Sequence, residues 1–212
     1  MKTDDLIAAL AADNDTRAQS IERALTLDLL AGFLVSALGF FVFLGVRHTF
    51  FASLDQPRFL FKFVFTLTMA ASGLALAYRL ARPVAVLGRT PRAIWLAPAL
   101  AALACLAEFF LVPQDQWAGR MIGHNAVHCL TMVPLMALAP LAGLFLALKQ
   151  AAPSDPRRAG AAAGFAAAGL AATLYAMNCP DDSPFFVAVW YMLATMIVVA
   201  LGWFAGGRWL RW

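Results

Sequence analysis

The chain has 212 residues, 62% of them hydrophobic and 13% charged, with a net charge of +4. A soluble domain runs at about 45–50% apolar and about 25% charged, so an ordinary soluble domain is excluded. The apolar excess lies in blocks, and the basic residues sort by loop, which makes the charge a topology signal and no argument for direct nucleic-acid binding.

Residues 1–24 form the one polar stretch long enough to act as a cytoplasmic segment, ahead of a transmembrane domain over 25–212. Thr3 is expected to cap a short helix by accepting from backbone N–H groups ahead of it. Asp4 and Asp5 then fall in its first turn, where the helix dipole favours negative charge. Leu6, Ile7 and Leu10 share one face. That face either rests on the membrane surface or docks into a groove of a cytoplasmic partner. Asp13-Asn14-Asp15 reads as a break, with a second helix starting near Thr16 and running into the first span.

Six apolar stretches follow: Leu29–Val46, Phe59–Tyr78, Ala93–Val112, Val127–Leu148, Ala159–Met177 and Phe185–Gly207. A hydrocarbon core of about 30 Å needs about 20 residues of helix. Lys62 and Glu108 interrupt two stretches, and the other four carry no Lys, Arg, Asp or Glu. The period-2 alternation of a membrane β-barrel is absent. The expected fold class is an all-α membrane protein, a six-transmembrane-helix bundle. No cleavable signal peptide is expected, because the first apolar block starts late and acids precede it.

Lys2, Arg17, Arg23, Arg79, Arg82, Arg89, Arg92, Lys149, Arg157, Arg158, Arg208 and Arg211 fall on one side of such a bundle; Arg47, Arg58, Lys62 and Arg120 fall on the other. The positive-inside rule then puts both termini in the cytoplasm. The loops are short turns punctuated by Pro83, Pro91, Pro153 and Pro156, too short to hold a soluble catalytic domain. The fifth span is nearly all Ala and Gly, with Gly160 and Gly164 in GxxxG spacing. Small residues let helices approach closely in lipid, either inside the bundle or along a homodimer seam.

The chemistry must lie in the few residues that are not apolar. Cys105 lies mid-span and reads as packing. Cys129, at the outer start of the fourth span, and Cys179, in the third outer loop, fall on the same side. Two thiols there could act as a redox-active or thiol-reactive pair, bridging if their Cα atoms come within about 7 Å. A metal reading competes: His124 and His128 at i, i+4 on a helix face, with Asp181 and Asp182 beside Cys179, offer N, S and O donors for a soft or borderline cation. A third reading is purely structural. Lys62 and Glu108 sit at similar depths on neighbouring spans, where they either form an intramembrane ion pair or snorkel separately. There is no Gly-rich phosphate loop, nucleophile elbow or HExxH motif, so no enzyme and no cofactor is expected beyond a heavy-metal ion as signal.

Several stretches carry a resemblance. Met1-Lys2-Thr3-Asp4-Asp5-Leu6-Ile7 with Leu10-Ala11-Ala12-Asp13, and Pro57-Arg58-Phe59 with Lys62, resemble the negative-regulator-of-sigma-F (NrsF) family of bacterial membrane proteins. So do Cys129-Leu130 with Pro134, Ala172-Thr173-Leu174-Tyr175-Ala176, Cys179-Pro180-Asp181-Asp182-Ser183-Pro184, Trp190-Tyr191 and Arg211-Trp212. The similarity spans essentially the whole chain, and the two cysteine stretches are its strongest motifs. It implies a multi-pass inner-membrane anti-sigma factor that holds an extracytoplasmic-function sigma factor inactive in metal or oxidative stress. The family's paired cysteines carry over to Cys129 and Cys179. The competing reading is a small transporter or metal-ion permease with the outer His/Cys cluster as its entry.

Overall fold

The computed structural model describes residues 3–82, 88, 90–151 and 153–211; the side chains of Leu6 and of residues 10–22 lie outside that description. Helix makes up 83% of the chain, with no strand among the described residues. The helices are α1 (Thr3–Phe43), α2 (Pro57–Leu80), α3 (Leu96–Leu111), the short α4 (Trp117–Ile122), α5 (Ala126–Ala151), α6 (Pro156–Ala176) and α7 (Pro184–Trp209). Six segments are long and apolar enough to cross a membrane: Arg23–Phe43, Pro57–Leu80, Thr90–Leu111, Gln114–Ala151, Pro156–Ala176 and Pro184–Trp209.

The expected break at Asp13-Asn14-Asp15 does not occur, because α1 is one helix of 41 residues. Asp and Asn cost only a few tenths of a kcal/mol each in a helix interior, and the stretch has no Gly or Pro to stop it. A helix already nucleated downstream propagates through such residues. Thr3 is itself helical, with Asp4 and Asp5 in the first turn as expected. At the other end Gly45, at φ +70, turns the chain out of the helix, and its N–H and that of Leu44 both reach the Phe40 carbonyl at 2.9 Å. Only glycine adopts that left-handed conformation freely.

The centre of the bundle is α6. It packs most extensively on α7 and α2 and less on α5. Its small side chains allow this: a Cβ at Gly160 would collide with the Gly202 carbonyl of α7, and one at Gly169 with the Ala70 backbone of α2. The Ala/Gly stripe is thus occupied by neighbours within the chain.

Helix α1 packs chiefly on α5. Pro134 and Pro140 interrupt α5. A proline has no N–H for the carbonyl four residues back, which for Pro140 is that of Met136. The Ser36 hydroxyl of α1 donates to that carbonyl at 2.9 Å, so the buried acceptor is satisfied across the interface. Helix α3 attaches only lightly, along α2 and the start of α7.

Candidate functional site

The segment Asn178–Ser183 joins α6 to α7, and three other helix ends converge on it. Asn178 donates from Nδ2 to the carbonyls of Leu44 and Gly45, at 3.2 and 3.0 Å. Those are orphan acceptors at the end of α1. The Arg47 backbone N–H donates in turn to the Met177 carbonyl at 3.1 Å.

Cys179 presents its carbonyl to two cations. Lys62 of α2 donates to it at 2.8 Å, and Arg47 at 3.0 Å. Asp182 closes the arrangement. It accepts two bonds from Arg47, at 3.1 and 2.8 Å, and pairs with Lys62 at 2.5 Å. Lys62 is fully buried, and the side chains of Arg47 and Asp182 are 9% and 16% exposed. The Arg47 guanidinium stacks 4.6 Å above the Phe59 ring, within an edge-on cluster of Phe50, Phe59 and Phe63.

Asp181 faces the opposite way. Its Oδ2 accepts from the backbone N–H groups of His124 and Asn125 at 3.0 and 2.9 Å and from Asn125 Nδ2 at 3.1 Å. It thereby holds the lead-in to α5. Gly123, at φ +61, has no room for a Cβ there, since it would strike Phe186 and the Asp181 carboxyl.

Beneath the loop lie the thiols. Cys129, in the first turn of α5, and Cys179 are both completely buried and both free. They are close enough for charge on one to act on the other. Tyr175 and Tyr191 complete the pocket, both buried. The Cys179 thiol points to the Asp181 carbonyl at 3.9 Å. Tyr191 stands on a π-helical turn of α7, Val187–Tyr191, with its buried hydroxyl lacking a hydrogen-bond partner among the described residues. Such turns re-aim side chains and recur at functional sites. Burial raises the Cys179 thiol above its ordinary range, against a smaller lowering by Lys62.

Two expectations are corrected. Lys62 and Glu108 do not pair: Lys62 bonds Asp182, and the buried Glu108 carboxylate takes Arg58 at 2.9 Å and Arg120 at 3.1 Å. Each buried charge has found a partner at its own corner of the same end of the bundle, as the cost of an unpaired charge demands. His124 and His128 do not share a helix face, because α5 begins at Ala126. The His124 side chain is 93% exposed, its Nδ1 lying 3.5 Å from Asp181, and His128 is exposed. No group of three or more His, Cys, Asp or Glu side chains is assembled for a metal among the described residues.

Sequence reasoning gives Arg47, Tyr175 and Tyr191 no role at the site, although both tyrosines lie in stretches that carry the family resemblance. Arg47 was visible there only as one of four cations on the sparse side. Tyr175 carried a usable signal, standing four residues before Cys179, one helical turn away. On the N-terminal segment, Thr3, Asp4 and Ile7 are exposed. The shared face expected with Leu6 and Leu10 rests on side chains outside the described ones.

Comparison with known proteins covers the whole chain. The family model described as "Negative regulator of sigma F" (NrsF) matches residues 10–212. A protein of Azospira oryzae named "Probable anti-sigma-F factor NrsF" is 33% identical over 215 residues, covering 100% of both chains. One of Caulobacter vibrioides named "Anti-sigma-F factor NrsF" is 31% identical over 218 residues, again covering 100% of both. No solved structure matches.

Proposed function

The chain belongs to the negative-regulator-of-sigma-F family, and from that premise we propose that it is an anti-sigma factor whose outer thiol pocket governs its hold on a sigma factor inside. The family is regulatory rather than catalytic. The partner is an extracytoplasmic-function sigma factor, held at the bacterial inner membrane by residues 1–24. Thr3, Asp4, Leu6, Ile7 and Leu10 supply the docking face, and residues 25–212 form the transmembrane domain. Both termini lie in the cytoplasm, which the loop charges support, and the Asn178–Ser183 loop lies on the periplasmic face.

The signal is a thiophilic metal or an oxidant. An oxidant removes two electrons and two protons from Cys129 and Cys179 as their sulfurs join. A soft divalent cation instead displaces the two protons and binds both thiolates. Either event alters the pocket beneath the loop that Arg47, Lys62 and Asn178 hold.

One observation carries the reading. The loop containing Cys179 is bonded directly to the end of α1, and α1 runs unbroken from there to Thr3. At 1.5 Å per residue such a helix is about 60 Å long. A single continuous helix therefore joins the thiol loop to the N-terminal segment.

Deletion of residues 3–15 tests the docking half. A sigma-dependent promoter should become constitutively active while the protein stays in the membrane fraction and ceases to co-purify the sigma factor. Continued repression by the truncated protein would refute it.

A further inference from the structure

We propose that Arg157, Arg208 and Arg211 form a binding site for the phosphate of an anionic phospholipid at the basic end of the α6–α7 pair. These residues line a cleft of about 740 Å³ together with Phe204, Gly207 and Trp209. Arg157 comes from the first turn of α6, Arg208 from the last turn of α7 and Arg211 from just beyond it. The helices bring three guanidinium groups to one opening.

None of the three has a carboxylate partner among the described residues. Asp155, the nearest acid in sequence, is engaged by Arg158: it accepts from the Arg158 backbone N–H at 3.0 Å and pairs with its Nε at 3.1 Å. Three like charges gathered at one opening, with no carboxylate bonded to them among the described residues, repel one another, and an anion joining them relieves that repulsion. Guanidinium groups suit phosphate oxygens because their paired N–H groups can bond two oxygens at once.

The site is shaped for this. Arg157 crosses α7 at Gly207, where a Cβ would stand 2.9 Å from its Nε and 3.0 Å from its Cγ. It then passes above Trp203, with Cζ 5.9 Å from the ring centroid. A side chain at 207 would push that guanidinium out of place. The apolar flank points to lipid as the occupant in preference to an acidic protein segment. Phe204 and Trp209 are 75% and 64% exposed beside the arginines, at the end of a membrane span. Exposed aromatics at that depth lie against acyl chains and glycerol, and tryptophan concentrates at the headgroup level. A phosphate held by the arginines leaves its acyl chains running down this aromatic face. The inference does not depend on what binds residues 1–24.

The test is native mass spectrometry of the full-length protein in detergent, titrated with dioleoylphosphatidylglycerol or dioleoylphosphatidylcholine. The wild type should retain the anionic lipid in preference to the zwitterionic one. Affinity should fall about fivefold for each arginine changed to glutamine, through Arg211→Gln to the triple variant, while Arg92→Gln at another basic loop leaves it unchanged. Arg211→Gln lies at the chain's end, so its thermal unfolding curve separates lost binding from lost folding. Equal retention of the two lipids would overturn the proposal, as would unchanged phosphatidylglycerol binding in the triple variant. Intact lipid binding with loss of sigma-factor capture in that variant would assign the arginines to the protein partner instead, and overturn it too.

Discussion

Asp182 decides the end of the bundle at which the thiols lie. It neutralises Lys62, a lysine with no access to solvent, and fixes Arg47 through two parallel bonds. Removing one partner of a buried ion pair leaves the other charge uncompensated, which costs about 3–5 kcal/mol. Asp182→Asn should lower unfolding stability in detergent by about that amount; a loss below about 1 kcal/mol would mean that water reaches the pair. The sequence made Lys62 conspicuous, as a charge three residues inside an apolar stretch. It could not name the partner. Depth along two adjacent helices favoured Glu108, but depth says nothing of azimuth, and Asp182 reaches Lys62 from a loop far along the chain. Cys179 was legible by type and by its place in a loop between two spans, whereas its complete burial was not. That burial sets its chemistry. With the thiol raised, alkylation of Cys179 by a small reagent should be slow at neutral pH and still be accelerating above the ordinary thiol value of about 8.5. The same shift makes stability depend on pH. Below about 8.5 the thiol is neutral in both states and its contribution is complete; as the pH climbs past that, the unfolded chain ionises first and the contribution is lost. A pH–rate profile levelling off near 8.5 would contradict the buried placement.

Helix identity was legible from the apolar stretches, because about 20 consecutive apolar residues dictate a span whatever the neighbours do. The ends were less legible. Gly45 stops α1 before the expected Val46, and the lead-in turn at Gly123 leaves His124 outside α5. Polarity alone marked Asp13-Asn14-Asp15 as a break, yet a break needs a residue that cannot be helical, and none of the three is such a residue. The small residues of α6 were the most informative element-level signal. They fit only where backbones touch, and Gly160 lies against Gly202 and Gly206 of α7. Gly160→Leu must therefore force the two helices apart. Overpacking of a tight contact costs about 1–3 kcal/mol, and here the obstacle is backbone, which cannot swing aside. The variant should sit at the upper end of that range in detergent unfolding; wild-type stability would mean that α6 and α7 are not in close contact.

For the molecule as a whole, the Asn178–Ser183 loop carries Cys179 and Asp182 and meets Lys62 of α2, Arg47 and the end of α1, and α1 runs from that contact to Thr3. A permease would instead need polar groups lining a path through the bundle. Among the described buried residues, the hydroxyls of Thr66, Ser72 and Thr195 are bonded to carbonyls of their own helices. A complete switch between holding and releasing a partner asks for about 5.5 kcal/mol of differential stabilisation. Making a disulfide contributes about 2–4 kcal/mol, and disturbing a buried ion pair about 3–5 kcal/mol. Together they reach the required scale, so the thiols suffice only if their chemistry also loosens the Arg47–Asp182–Lys62 arrangement. This mechanical connection was not legible in the sequence, because it depends on contacts between residues more than 100 positions apart. The most direct measurement is a sigma-dependent reporter in cells carrying Cys129→Ser and Cys179→Ser together, with and without a thiophilic metal or oxidant. The account predicts repression that stays in place and no longer responds to the stressor. Induction matching the wild type in the double variant would contradict it.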